Sequence, residues 1–183
     1  MNDELSALVK QVDSIAKSVE KVFGGLSAEQ LNWKPNEKSW SIAQCLEHLI
    51  VTNKLEFPAV ENALKENYKN PFWSKIPFLS DVFGKTAIYL FKPQNQRKFK
   101  APKSFQPSKS RFSEKIVQDF VAHQQELVEI FERSGDLDLR KTKIISPISE
   151  FITYSLMDAF QLLTVHEQRH FGQAERVLQM QNS

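Results

Sequence analysis

Four stretches of this chain place apolar residues three and four apart over twenty or more positions, a spacing that a helix buries on one face and a strand cannot. The most constraining is Ser155 to Met180. Residues four apart on a helix lie one turn above another. Ala159, Leu162, Leu163, His166, His170, Gln173, Ala174 and Val177 therefore share one inward stripe. Two histidines stand in the middle of it, where a solvated imidazole is not expected. Ser155 and Asp158 form a capping box in front of this helix, with Tyr154 as staple.

The other three stretches read the same way. Leu5, Leu8, Val12, Ile15, Val19 and Val22 give a first helix from Asn2 to Phe23, ended by Gly24-Gly25. Ser27 to Gln30 is a capping box opening a short turn, broken at Trp33-Lys34-Pro35. Ser41 and Gln44 cap a second helix, with Trp40 as staple, that is expected to reach Tyr68. Its main stripe is Ile42, Leu46, Leu49, Ile50, Phe57, Val60 and Leu64. His48 lies off that stripe on a narrower face of small residues, Cys45, Thr52, Ala59 and Ala63. A third helix is expected from Ser110 to Ser134 on Ile116, Phe120, Leu127, Ile130 and Phe131, with His123 at its rim and Gly135 after it. Asp136 to Thr153 reads as a connection with short extended pieces such as Lys143 to Ile145.

Between the second and third helices, Asn70 to Ser110 is irregular. Pro71, Pro77, Pro93, Pro102 and Pro107 punctuate it, and aromatic residues fill it too densely for a disordered linker. One or two short helices packed on the bundle are expected there. From 82 to 113 it holds no acid, while Lys85, Lys92, Arg97, Lys98, Lys100, Lys103, Lys109 and Arg111 are basic. The expected fold is all-α: one domain over residues 1–183, a four-helix bundle with a long crossover between helices two and three.

Composition excludes several classes. A net charge of +2 is too small for a nucleic-acid binder, and no reading motif is present. No apolar run approaches the roughly 18 residues of a membrane span. The first ten residues carry acids and no apolar segment, so no signal peptide is expected. The single cysteine, Cys45, is compatible with a reducing cytosol and is read as a small core residue. The expectation is a cytoplasmic protein without membrane or nucleic-acid partners; a homodimer is compatible with it.

His166-Glu167-Gln168-Arg169-His170 matches the His-Glu-x-x-His signature of zinc proteases, whose glutamate is the general base. The surroundings do not fit. Arg176 stands where an extended signature needs a third histidine, and no sheet precedes the helix. A third imidazole from another helix is the better solution, and His48 is the candidate. A catalytic zinc site has three protein ligands and one open position.

Trp40 to Leu49, preceded by Leu26 to Leu31, resembles the helix-two signature of the DinB/YfiT-like superfamily, and His166-x-x-x-His170-x-x-Gln173 resembles its helix-four signature. The resemblance covers essentially the whole chain. It implies a four-helix bundle in which His48, His166 and His170 hold one divalent metal ion. Characterised relatives include bacillithiol S-transferases and mycothiol-dependent enzymes, and many members have no known activity. The crossover is longer than the commonest pattern, so substrate specificity does not carry over.

Three neutral imidazoles leave the ion's charge uncompensated, which favours a metal-bound water or thiolate as nucleophile. The ligand set does not separate zinc from nickel. Two roles stay open beside the ligands: Glu167 as a base, although it turns off the metal face, and Gln173 as a hydrogen-bond partner to a ligand. The functional expectation is a metal-dependent enzyme acting on a small-molecule substrate, either a transferase of a low-molecular-weight thiol or a hydrolase. The basic crossover would recruit a carboxylate-bearing thiol or another anion. The alternative is a non-catalytic stress-response protein whose metal is structural.

Overall fold

A computed structural model describes residues 2–76, 78–95, 97 and 100–183. Pro77, Lys98 and Phe99 of the crossover lie outside the described residues. The four long helices are α1 (Asp3–Phe23), α3 (Ile42–Ala63), α5 (Lys115–Arg133) and α6 (Leu156–Gln181). A five-residue helix, α2 (Ala28–Asn32), precedes α3. Each of α1 and α3 packs on both α5 and α6, so the chain closes an all-α bundle. The three capping boxes, at Ser27, Ser41 and Ser155, are all formed.

Two helices are shorter than their stripes suggest, and in both cases tertiary hydrogen bonds end the helix. α3 stops at Ala63 rather than Tyr68. Tyr68 instead donates its hydroxyl to the Lys143 carbonyl at 2.6 Å, and Asn70 bonds the backbone of Lys141 and Lys143. α5 begins at Lys115 rather than Ser110. There Asn32 receives the Phe112 N–H and donates to the Phe112 carbonyl, while Glu114 accepts from the Ala28 N–H. Pro58 sits inside α3, which no helix signal announces; the Lys54 carbonyl there has no N–H to receive.

The crossover holds one helix of 13 residues, α4 (Leu79–Phe91), between 3₁₀ turns at Phe72–Lys75 and Lys103–Phe105. α4 lies on α6 through Gly84, where a Cβ would stand 2.7 Å from the Asp158 carboxyl carbon. The connection before α6 is an antiparallel hairpin of β1 (Lys143–Ser146) and β2 (Ser149–Ser155), with an irregularity between Ile145 and Ser146. Ile144 and Tyr154 face the bundle, while Thr153 faces α4 and shares a hydrogen bond with Ser80.

The core is split. One apolar cluster joins Leu5, Leu8 and Val12 with Val60, Leu127, Phe131, Phe160 and Leu163. A second joins Ile15, Val19 and Phe23 with Leu46, Leu49, Phe120, Ala174 and Val177. Between them lies a buried polar layer of His48, Asn53, Glu56, His123, Gln124, His166, Glu167 and His170. Polar groups at this depth cost stability unless each finds a partner.

Candidate metal centre

α6 places His166 and His170 on one face, one turn apart, and α3 brings His48 against them. The three imidazoles are 4%, 7% and 8% exposed for His48, His166 and His170, and one ring nitrogen of each lies within 4.8 Å of the others. The ring centroids are 4.6–5.0 Å apart. The Nε2 atoms of His48 and His166 are separated by 3.2 Å. Two nitrogens bound at 2.0–2.1 Å to one tetrahedral ion stand about 3.3 Å apart, so this spacing suits a shared cation.

The rest of the cluster fits an ion too. His48 Nδ1 lies 2.6 Å from the Phe105 carbonyl, which can only accept, so the proton is on Nδ1 and the Nε2 lone pair faces the other rings. A hydrogen bond between His48 and His166 would serve those two alone. His170 is left with a buried Nδ1 that has no partner. Burial pushes all three pKa values down, His166 well below the ordinary range and His170 to about 3, with the neighbouring imidazoles and Arg169 adding to the effect at both. The Gln173 amide works weakly the other way at His170 but makes no hydrogen bond of sound geometry to its Nδ1. Three neutral nitrogen donors that converge could hold a divalent metal ion. Among the described residues no carboxylate or thiol joins the group.

Aromatic side chains wall the site. Trp40 stacks on His170 at 5.7 Å and tilts against His48 at 4.7 Å, so the residue expected as a helix staple covers two of the imidazoles. Phe91, at the end of α4, sets its edge on His166 at 5.2 Å. Arg169 holds that end in place by donating to the carbonyls of Leu90, Lys92, Asn95 and Arg97. One α6 turn thus carries both imidazoles and the tether of the segment above them. Neither Trp40 nor Phe91 falls on a stripe that would have flagged it.

Glu167 is fully buried and faces away from the imidazoles. Its Oε1 accepts from Asn53 of α3 and Gln124 of α5, each at 2.9 Å. Burial raises its pKa to about 7, against the pull of these two donors. Among the described residues no hydrogen bond joins it to the three histidines. Asn53 and Gln124 could have been noticed: both continue the apolar stripes of their helices at positions where a polar residue must be buried. His123 is not at a rim. It is 2% exposed, its ring stacked on Phe57 at 5.3 Å and its Nδ1 3.0 Å from Glu126. Cys45 is a core residue whose burial lifts its thiol to about 12, so it is no nucleophile.

Neither the curated proteins nor the solved structures offered a match to the chain. A family model did: residues 11–174, which include all three histidines, match the DinB superfamily, and the chain belongs to it.

Proposed function

We propose that the protein is a metal-dependent enzyme acting on small molecules, and that it transfers a low-molecular-weight thiol to an electrophile. The observation that carries this reading is the convergence of His48, His166 and His170 as neutral donors, with no fourth protein ligand among the described residues. These three residues would hold a divalent ion, zinc or nickel, whose uncompensated charge would lower the pKa of a thiol or water bound to it.

The chain's own groups do the rest. The Phe105 carbonyl fixes the tautomer and orientation of His48. Burial keeps the three rings unprotonated at neutral pH, so no proton competes for their lone pairs. Trp40 and Phe91 present apolar faces that suit an electrophile and exclude water. Glu167 ties α6 to α3 and α5 and holds the register of the two α6 histidines. The basic crossover attracts a thiol that carries carboxylates, as expected of a co-substrate from a reducing cytosol.

The test is metal analysis of protein purified without a metal-affinity tag, followed by assays before and after chelation. Thiol conjugation to electrophiles is expected, lost on chelation and restored by metal. Turnover that survives full chelation, or protein that takes up no metal, overturns the proposal. Ester or amide hydrolysis without thiol transfer replaces it with the hydrolase reading.

A further inference from the structure

At one end of the molecule the chain leaves in solvent what a core would bury. Phe72 is 70% exposed, Trp73 38%, Ile76 43%, Phe78 79%, Ile148 59% and Phe151 56%. Three of these rings form one surface. The Phe72 ring meets Trp73 at 5.6 Å, and Trp73 meets Phe151 of β2 at 5.4 Å. Ile76 and Phe78 link this turn to the start of α4, and Ile148 sits between the hairpin strands. A contiguous apolar surface of this kind marks an interaction site on a soluble domain.

Two further observations say what covers it. The first is Phe78, which has φ 63° and ψ −14°, a left-handed conformation that bulky side chains avoid. The strain is held at the turn into α4, and it leaves the ring 79% exposed. The second is charge. Segments 69–85 and 143–153, which build this end, contain Lys69, Lys75, Lys85 and Lys143 but only Asp81 and Glu150 as acids. Asp81 is already held by Lys143 at 2.9 Å, and Lys75 sits 5.7 Å above the Phe72 ring. A second copy would press the same lysines against themselves, since a two-fold contact uses one patch twice. An aromatic surface rimmed by lysine is complementary to an anionic, partly apolar face, as a membrane interface is.

We propose that this end of the protein docks on an anionic lipid bilayer, with Phe78 and Ile148 entering the boundary between headgroups and acyl chains and the lysines meeting lipid phosphates. The expectation of no membrane partner rested on the lack of a spanning segment. No helix among the described residues is long and apolar enough to cross a bilayer, and peripheral docking needs none.

The experiment is sedimentation of the full chain with vesicles of mixed phosphatidylglycerol and phosphatidylcholine, and with phosphatidylcholine alone, at low and high salt. Binding is expected to the anionic vesicles, to weaken with salt, and to fall about tenfold or more in a Phe78→Ser, Ile148→Ser double variant. Because both side chains are exposed, the circular dichroism of the variant should match that of the parent. Phe78→Gly should raise the melting temperature while lowering binding, because glycine adopts this backbone freely. Lack of binding to anionic vesicles, or equal binding by the double variant, overturns the proposal. So does equal binding to soluble polyglutamate, which would point to an acidic protein. A dimer of the parent chain that the double variant dissociates overturns it as well, in favour of a second copy.

Discussion

Glu56 offers a sharp test of how the buried polar layer behaves. It lies on α3, 4% exposed, and its carboxylate oxygens each accept from the Tyr154 hydroxyl at 3.0 Å. Burial raises its pKa from an ordinary 4.5 to about 7, and the Tyr154 hydrogen bond only partly opposes this. At 1.36 kcal/mol per pH unit, that rise corresponds to about 3 kcal/mol. The sign follows from proton linkage. Between pH 4.5 and about 7 the folded state holds a proton that the unfolded state has lost, so this group's contribution to stability falls as pH rises through that window. Below the window both states are protonated; above it both are ionised and the penalty stays constant. Glu56→Gln cannot titrate. Its amide must turn a donor toward Tyr154, a fixed offset of about 1–3 kcal/mol that does not change with pH. The measurement is urea unfolding of both proteins from about pH 4.5 to 7.5, taking the difference at each pH so that other titrating groups cancel. The variant should gain about 3 kcal/mol relative to the parent across the range. A difference that stays constant within about 1 kcal/mol would refute the reasoning, because Glu56 would then ionise as easily folded as unfolded.

Other expectations follow from the same layer. Removing the metal, or replacing His166 with Ala, should lower the melting temperature and abolish activity but leave the helical circular dichroism, because caps and apolar clusters form the fold without the ion. Glu167→Leu strands the amides of Asn53 and Gln124 and should cost about 2–4 kcal/mol in chemical unfolding, whereas Glu167→Gln should keep both metal and fold. A loss of all activity in Glu167→Gln with metal retained would instead make Glu167 the base. Gly84→Ala drives a methyl into the Asp158 carboxyl and should cost about 1–3 kcal/mol, or detach α4 from α6, seen as faster proteolysis within the crossover.

Periodicity and capping were enough to read the four long helices, the three capping boxes and a short extended piece at Lys143 to Ile145, because each depends on neighbours within a few residues along the chain; the pairing of that piece with β2 in a hairpin came from the structure. The i, i+4 spacing of His166 and His170 on an apolar stripe was legible for the same reason. His48 could be named only as a candidate; its approach to the pair depends on how α3 lies against α6. Helix ends at Ala63 and Lys115 escaped the sequence reading because hydrogen bonds from Tyr68, Asn70 and Asn32, reaching residues 70 or more positions away, outcompete another helical turn. Asn53 and Gln124 stand on the apolar stripes of their helices, whereas Glu56 looks locally like a solvated polar residue. Which partner each finds depends on tertiary packing: Asn53 and Gln124 donate to Glu167 where α3, α5 and α6 meet, and Glu56 accepts from Tyr154 of β2. The walls of the site follow the same logic. Trp40, Phe91 and the Phe105 carbonyl come from a cap and a crossover with no period to read, and they meet the histidines because α4 is tethered by Arg169 across the face of α6.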